Sequence, residues 1–413
     1  MSAGFCTFVC VPFRINMKIG LCYILLCFLL MPLTQLAIAQ RYRNAVFDDV
    51  SIQHDLEYGR AETYLGVEKQ LKFDFYEPSG DSLQFRPLVI TVFGGSFILG
   101  SRSWVDMQAW GDSLARRGFV VASIDYRLGY NPASEKSLIR AAYRAGQDVS
   151  AAIRYFKAEY ATYGIDTSRI YLLGNSAGSI ASLIAAFLTD EERPVQTFGD
   201  NIRPDLKCKH CTGTDGNHSS EVAGVISQWG GLTNLHFIDR NEDIPVCFIH
   251  GQKDGTVPYD VGPAYNIRLL PLLYGSEYMA SHMDSLGIYN ELHLFKDKKH
   301  CFYLESSQLK LKPDEFSQCL SIVLDFIHSV ENDYVLAEAP FHSYVLEQPV
   351  CFGYKGDFSE FPVSFRILSV VGRQVQSGNY PVVYQDTNQL NPGIYLLELH
   401  YPGTDRFFKL IIN

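Results

Sequence analysis

A serine between two glycines could act as a nucleophile in this sequence. The pentapeptide GNSAG (residues 174–178) follows the apolar run 170–173 and precedes the aliphatic segment 177–188. A Gly-x-Ser-x-Gly turn between a buried strand and a helix is so tight that it exposes its serine above the sheet, and its glycines leave room for neighbouring backbone. A glycine-rich connection without a catalytic role is the alternative, but both flanks match the catalytic pattern. We therefore predict Ser176 as the nucleophile.

A candidate acid and base follow the serine along the chain. A serine at neutral pH needs a base, and the base needs a carboxylate that orients it. Asp254 lies just beyond the apolar run 246–249, and His300 lies in the loop after the predicted strand 290–295. Sites in such sheets form at the carboxyl ends of parallel strands, and the three residues occur in the order serine, aspartate, histidine. The sequence thus predicts a triad of Ser176, Asp254 and His300.

Other acidic and histidine residues lie near the same predicted strands. Asp297 is close enough to His300 in sequence to be considered as the acid of the triad. His250 and His293 fall within or at the end of predicted strands, where a packed and hydrogen-bonded histidine is the usual case. Loop position therefore favours Asp254 and His300.

The tetrahedral intermediate of acyl transfer also needs hydrogen-bond donors for its oxyanion. Gly94 and Gly95 follow the apolar run 88–92. Glycines at that position let backbone N–H groups point into a cavity without obstruction by side chains, and the residue after the nucleophile supplies another N–H group. We predict that Gly94, Gly95 and Ala177 form the oxyanion hole.

The elements that must position these residues alternate between strands and helices. Short and nearly continuous apolar runs are typical of strands covered on both faces. These runs are 88–93, 119–124, 170–173, 222–226 and 246–249. Helical spacing of apolar residues occurs in 107–117, 138–160, 177–188 and 313–330. The pattern predicts an α/β fold class with a doubly wound, mostly parallel sheet, preceded by a polar lead-in and an antiparallel strand at 71–76.

Both ends of the chain differ from this pattern. Residues 1–39 are predicted to be a secretory signal peptide, because the apolar stretch 19–33 precedes a small-x-small cleavage site that ends at Ala39. An uncleaved membrane anchor is the alternative. Residues 40–336 are expected to form the catalytic domain. Residues 337–413 are predicted to form a small all-β domain with strands at 365–371, 380–384, 393–399 and 407–412.

Composition and charge narrow the classes of partner and cofactor. The 413 residues carry a formal net charge of −10. This net negative charge indicates no basic patch that could hold a phosphate backbone, so we expect no nucleic-acid partner. Cys208-Lys-His-Cys211 has zinc-knuckle spacing, but no second pair of ligands follows at a suitable distance, which favours a local disulfide or free thiols. The sequence predicts no metal site and no cofactor.

Together these motifs resemble those of the α/β-hydrolase superfamily over residues 55–330. Within it, the chain is similar to carboxylesterases of the hormone-sensitive-lipase kind and to acetyl or feruloyl esterases. The resemblance rests on the glycine loop, the stretch DYRL (125–128), GNSAG, and the His-Gly-x-x-Asp-x-x-Val-Pro segment 250–258. It implies that the stretch 125–128 is structural. The chain departs from the family at Phe93, where histidine is usual, and at Ser96, where a third glycine is usual.

The tail resembles a different family. The segments VGRQV (371–375), LNPGIY (390–395) and the ending FKLII (408–412) are similar to the C-terminal sorting domain of proteins exported by the type IX secretion system of the Bacteroidetes. The resemblance implies that the type IX secretion machinery is a partner of this protein. It also implies a secreted or cell-surface location in a Gram-negative bacterium after passage through the periplasm. An ordinary β accessory domain, one that binds carbohydrate for example, is the alternative.

The combined interpretation is a secreted serine carboxylic ester hydrolase that acts through an acyl-enzyme. The expected substrates are small-molecule or polysaccharide-linked esters, with acetyl and feruloyl as candidate acyl groups. A serine peptidase of the same fold is an alternative, because the same triad serves both. A binding protein without activity is another, although such proteins typically lack a triad member. The polar segment 189–220 follows the elbow helix, and we expect it to border the substrate cleft.

Overall fold

The computed structural model describes most of the chain between the leader and the tail. The described residues are 41–213, 217–239, 243–305, 310–338, 364–369, 374–379, 393–401 and 404–412. The predicted signal peptide 1–39 and the predicted strand 380–384 lie outside them. The chain divides into two compact units, Met1–Leu324 and Asp325–Asn413. No helix within the described ranges has the length and apolar character needed to cross a bilayer.

A central eight-stranded sheet organises the first unit. The strands in chain order are β1 (Val50–Glu62), β2 (Glu68–Pro78), β3 (Arg86–Val92), β4 (Val120–Ile124), β5 (Ile165–Asn175), β6 (Gly224–Gln228), β7 (Val246–Gly251), β8 (Val261–Pro263), β9 (Leu272–Tyr274) and β10 (Asn290–Phe295). The sheet order is β1-β2-β4-β3-β5-β6-β7-β10, and β8 and β9 form a separate antiparallel pair. From β4 to β10 all neighbours are parallel, whereas β1 and β2 pair antiparallel at one edge. This confirms the predicted doubly wound, mostly parallel sheet.

The described residues form six α-helices. They are α1 (Val105–Ala115), α2 (Glu135–Ala158), α3 (Tyr160–Tyr163), α4 (Ala177–Phe187), α5 (Ser276–Leu286) and α6 (Pro313–Glu338). Helix α2 begins after Ser134, whose hydroxyl accepts a hydrogen bond from the backbone N–H of Ser137 at 3.2 Å. Gly146 of α2 gives α4 close access, because a Cβ there would lie 2.3 Å from the Ile184 side chain. The two helices thereby pack tightly beside the strand that ends at the serine.

The core lies on both faces of the central strands. Every residue of β3, β4, β6 and β7 is buried. Burying one large aliphatic side chain stabilises the fold by about 2 kcal/mol, so these strands form a rigid base for the loops at their carboxyl ends. The predicted apolar runs therefore correspond to buried strands, with β6 starting two residues later than predicted.

Strand β1 was not predicted from the sequence. Its thirteen residues are mostly exposed, because it is the edge strand and pairs with β2 alone. Neither face of such a strand needs an apolar pattern, and its sequence is correspondingly polar. The β8–β9 pair and α5 were likewise not predicted, and both lie between β7 and β10.

The second unit contains a small antiparallel sheet. Its described strands are β11 (Ser364–Ser369), β12 (Gln374–Asn379), β13 (Gly393–Tyr401) and β14 (Thr404–Ile412), in the order β12-β11-β13-β14. Three of the predicted tail strands overlap β11, β13 and β14. The assignment of residues 337–413 to a sorting domain stays a prediction.

Candidate active site

The loop around Ser176 is a strained elbow between β5 and α4. Ser176 itself has φ 52° and ψ −120°, a conformation that side-chain-bearing residues rarely adopt. Glycine is required on both sides of it. A Cβ on Gly174 would lie 2.4 Å from the carbonyl oxygen of Gly178, and one on Gly178 would lie 2.0 Å from that of Val92. The elbow thus holds Ser176 at the carboxyl edge of the sheet.

The structure brings the three predicted triad residues together. His300 Nε2 lies 2.8 Å from Ser176 Oγ, and His300 Nδ1 lies 2.6 Å from Asp254 Oδ2. Asp254 follows β7 and His300 follows β10, so neighbouring parallel strands position the acid and the base. This is the geometry in which a histidine can take the proton of a serine while a carboxylate orients its ring.

Asp254 is held as a carboxylate by several donors. Its Oδ1 accepts hydrogen bonds from the backbone N–H groups of Thr256 at 2.8 Å and Val257 at 3.0 Å. Burial alone would raise the pKa of Asp254, but hydrogen bonds from His250 and His300 outweigh it and lower the pKa to about 2. The acid of the triad is therefore ionised at neutral pH.

The predicted oxyanion donors border the same serine. A Cβ on Gly94 would lie 3.2 Å from Ser176 Cβ, and Gly95 has φ +113° with Leu99 O close against it. Among the described residues, no backbone carbonyl accepts a hydrogen bond from the N–H of Gly94, Gly95 or Ala177. These groups are available to a ligand beside Ser176, as an oxyanion hole requires.

The stretch 125–128 and Phe93 support the glycine loop. Tyr126 stacks on Phe93 with ring centroids 4.4 Å apart, and its hydroxyl donates to the Phe93 carbonyl at 3.1 Å. Arg127 donates to Asp148 of α2 at 2.8 Å. These contacts give the stretch the structural place that the resemblance implies. Phe93, where the family usually has histidine, serves here as an aromatic support.

A buried polar network lies beneath the elbow and was not predicted from the sequence. Asn175, the residue before Ser176, donates to Asp106 of α1 at 2.6 Å and to the Tyr303 hydroxyl at 3.4 Å. Tyr303 in turn donates to Gln228 at the end of β6 at 2.8 Å. Burial raises the pKa of Asp106, although the hydrogen bond from Asn175 opposes that shift. The network ties α1, β6 and the loop after β10 to the elbow.

Two cavities of different character open on Ser176. The first has a volume of about 50 Å³ and is lined largely by apolar side chains, including Phe97, Leu138, Ile180 and Leu273. The second has a volume of about 190 Å³, contains His300 in its wall, and is lined by Gly94, Gly95, Trp104, Asp106 and Asn175 among others. Ser176 belongs to both, so a bound ester could extend in two directions.

Tyr265 contributes to the walls of both cavities and was not identified from the sequence. Its hydroxyl donates to Ser96 Oγ, across 169 positions of the chain. Tyr265 and Ser96 both line each cavity, and both have a positive φ, 57° and 59°. Since strained backbone at a ligand cleft is often functional, this pair is a candidate determinant of specificity.

The residues considered as alternatives lie elsewhere or serve another role. Asp297 is fully solvated and forms an ion pair with Lys253. His293 contacts Glu291 at 2.9 Å on β10. His250 is fully buried on β7. Its Nε2 lies 3.3 Å from Asp254 Oδ2, so it contacts the predicted acid of the triad.

The expectation that the segment 189–220 borders the substrate cleft was wrong for its described residues. None of them lines either cavity at Ser176. Arg140 of α2 donates hydrogen bonds to the carbonyl oxygens of Gln196 and Phe198 in this segment, at 3.0 and 3.2 Å. Arg140 lies on a different face of α2 from Leu138, which lines the apolar cavity. Cys208 and Cys211 form a disulfide, one of the two states that the spacing left open.

Parts of this chain are similar to a known family and to known proteins. The family model described as BD-FAE matches residues 73–243. The isoprenylcysteine alpha-carbonyl methylesterase of Arabidopsis thaliana is 29% identical over 301 residues, 66% of this chain and 63% of that protein. The probable enzyme of that name from Oryza sativa subsp. japonica is 31% identical over 292 residues, 65% and 63% of the two chains. Both of these curated relatives are named as methylesterases.

The extent of these matches differs from one relative to another. The chain spans 24% to 63% of the length of the first four curated relatives that it matches. Among solved structures, the propionate-bound esterase Est2 of Thermogutta terrifontis covers 70% of this chain and 97% of its own, with 20% identity and a TM-score of 0.48. A truncated carbohydrate esterase from gut microbiota covers 70% and 98%, with 18% identity and a TM-score of 0.47.

Proposed function

We propose that this protein is a serine carboxylic ester hydrolase that works through an acyl-enzyme. The observation that carries the proposal is the chain of hydrogen bonds from Asp254 through His300 to Ser176, at 2.6 and 2.8 Å. It ends at a serine that opens on two cavities and is flanked by available backbone donors. The curated esterase relatives support the same class of reaction.

The first half of the reaction forms the acyl-enzyme. His300 Nε2 takes the proton of Ser176 as Oγ attacks the ester carbonyl, and Asp254 stabilises the resulting imidazolium. The N–H groups of Gly94, Gly95 and Ala177 stabilise the negative charge that develops on the carbonyl oxygen. His300 then donates its proton to the leaving alcohol, and Ser176 carries the acyl group as an ester.

The second half reverses these proton transfers with water as the nucleophile. His300 takes a proton from water, the hydroxide attacks the acyl-enzyme, and the serine oxygen leaves with the proton from His300. Because the leaving alcohol and the water must both reach His300, we assign them to the polar cavity that His300 lines. The acyl group then occupies the apolar cavity, which Tyr265 also lines.

The size of the apolar cavity favours short acyl groups. Its volume of about 50 Å³ is far below the volume of about 190 Å³ of the polar cavity. The smaller cavity favours a small acyl group such as acetyl over the larger feruloyl group. Of the two candidate acyl groups we therefore propose acetyl, on small or polysaccharide-linked alcohols. Export and removal of the leader are proposed on its apolar stretch and cleavage site alone, and sorting by the tail on the sequence resemblance alone.

The proposal is tested with a panel of substrates and a covalent label. The purified protein is assayed on acetyl, butanoyl, octanoyl and feruloyl esters, on acetylated xylan and on aminoacyl anilides. A fluorophosphonate is expected to stop ester hydrolysis and to modify the tryptic peptide that contains Ser176. Amide cleavage without ester cleavage would favour the peptidase alternative. Labelling without hydrolysis of any substrate would contradict the proposed ester specificity, and neither labelling nor hydrolysis would favour the binding protein.

Tyr265 provides a prediction about acyl length. Tyr265→Ala shortens a side chain that lines both cavities. The added space lets a longer acyl chain make apolar contacts, so kcat/KM for an octanoyl ester is expected to rise about 10-fold relative to the acetyl ester. Tyr265→Phe keeps the ring and removes only the hydrogen bond to Ser96. The phenylalanine variant should therefore keep the wild-type preference. Equal acyl profiles in the alanine variant and the wild type would show that Tyr265 does not limit the acyl group.

A further inference from the structure

His250 makes a contact that the proposed reaction does not itself use. Asp254 Oδ2 accepts the hydrogen bond from the catalytic histidine, and the same oxygen lies 3.3 Å from Nε2 of His250. Four N–H groups therefore face the carboxylate: two backbone N–H groups at Oδ1, and one from each histidine at Oδ2, of which that of His250 is shared with the Val257 carbonyl oxygen. A carboxylate has about four lone-pair sites, so this set saturates it. His250 is the only side chain among the described residues, apart from His300, that supplies one of them.

The hydrogen bonds of His250 determine which ring nitrogen carries the proton. Its Nε2 faces two acceptors, Asp254 Oδ2 and the carbonyl oxygen of Val257 at 3.1 Å, so Nε2 must be an N–H donor. Its Nδ1 lies 2.7 Å from the hydroxyl of Ser276, the first residue of α5. With a proton on Nε2, Ser276 donates to Nδ1 and every polar atom of the ring is satisfied. Ser276 thus fixes the form of His250 that can donate to Asp254.

The support for His250 is rigid. The residue lies on β7, every residue of which is buried, and Ser276 is buried as well. The ring of Tyr259 packs against it at 5.7 Å in an edge-on arrangement. A side chain held on a central strand can position its partner more firmly than a loop can. Asp254 itself lies in the loop after β7, so it depends on such support.

We propose that His250 is a positioning residue for the triad, which keeps Asp254 Oδ2 where it can hold His300. The inference rests on the proposed function, since it concerns the same triad. Its alternative is a core histidine that is merely hydrogen-bonded, as the sequence predicted. The two differ in what removal of the Nε2 donor does: a positioning role affects turnover, whereas a packing role affects stability alone.

A matched pair of variants separates these roles. Glutamine and methionine have similar length and volume, but only His250→Gln keeps an N–H donor near the position of Nε2. We expect His250→Met to lower kcat about 10-fold to 100-fold with little change in KM, because small misplacement of a catalytic group has costs of that size. His250→Gln is expected to keep most of the activity. Equal kcat values in the two variants, when both are folded, would overturn the proposal.

The pH profile gives a second readout that packing would not change. The titratable groups around the pair are His250 and His300 on Asp254, Cys301 nearby, and Tyr259 against His250. Without the donor from His250, Asp254 takes up a proton at a higher pH than in the wild type. The unfolding free energy that is lost as the pH falls from about 5 to 2 should therefore be smaller in His250→Met than in the wild type, and unchanged in His250→Gln. An equal loss in both variants would argue for packing.

Two further measurements keep the test decisive. If His250→Met fails to fold, Ser276→Ala removes only the bond that fixes the His250 ring and should cause a smaller fall in kcat in the same direction. The low-field proton NMR signal of the His300 Nδ1–H group reports its bond to Asp254 in the resting protein. We expect that signal to shift in His250→Met and to persist in His250→Gln, even if no ester is hydrolysed. Absence of esterase activity in the wild-type protein would overturn the proposed function. An unchanged signal in His250→Met would overturn the positioning role of His250.

Discussion

Replacing Ser176 with alanine is expected to lower kcat for a short acyl ester by about 10⁴-fold or more, because no other group can form the acyl-enzyme. Residual hydrolysis would come from binding and from the donors of Gly94, Gly95 and Ala177. The fold should be unaffected. Alanine has the same Cβ as serine, so the strained φ of 52° costs both residues alike. Steady-state kinetics on a nitrophenyl ester and near-ultraviolet circular dichroism check the two halves of this expectation.

A matched serine provides the control. Ser168 is exposed at the start of β5, where its hydroxyl bonds to Asp166, and it lies outside both cavities. Ser168→Ala should keep wild-type kinetics and an unchanged spectrum. A Ser176→Ala protein that retained a rate within 10-fold of the wild type would remove Ser176 from the mechanism, whatever the geometry of the triad.

The centre of the site could be predicted because its signals are local. GNSAG contains a serine at the turn and two glycines. Gly174 lies too close to the Gly178 carbonyl oxygen, and Gly178 too close to that of Val92, for either to carry a side chain. Asp254 and His300 were recognisable because each follows a buried strand in the order that the fold imposes. The structure brings these residues together as the sequence predicted, although their catalytic roles stay proposals.

The surroundings of the triad could not be predicted, because they depend on tertiary packing. Asp106 and Asn175 meet over 69 positions of the chain, and Tyr265 reaches Ser96 over 169. No spacing rule links residues on separate loops. His250 shows the limit well: its position on a buried strand indicated a packed histidine, which is correct, but its bond to Asp254 appears only in three dimensions.

The errors in the fold have the same origin. Strand β1 is polar because only its pairing with β2 defines it, and backbone pairing leaves no pattern in the side chains. The segment 189–220 follows the elbow helix in sequence, which suggested the cleft. In space, Arg140 draws it to another face of α2. Adjacency along the chain was a poor guide there, because α4 carries the chain eleven residues away from the nucleophile.

Asp254→Asn is expected to lower kcat by about 10³-fold to 10⁴-fold, because an amide orients the His300 ring wrongly and cannot stabilise its positive charge. Four donors converge on the carboxylate, so the NH₂ group of asparagine must face at least one of them. An unsatisfied buried donor costs about 1 to 3 kcal/mol, which should appear as a loss of unfolding free energy at neutral pH. Kinetics and urea unfolding measure the two effects separately.

Asp297→Asn is the matched control, since Asp297 is the other acid near His300 in sequence and pairs with Lys253 at the surface. It should leave kcat unchanged, and a large loss there instead of at Asp254 would reassign the acid.

The pH dependence of the unfolding free energy gives a further check on Asp254. The pKa of Asp254 falls from its usual 3.8 to about 2 on folding. A depressed pKa stabilises the fold above the unfolded value and ceases to do so as pH falls through the folded one. The difference in unfolding free energy between wild type and Asp254→Asn should therefore be constant above pH 5 or so, then shrink by about 2 kcal/mol as the pH approaches 2. A difference that did not depend on pH would mean that Asp254 is not held as an ion by its donors.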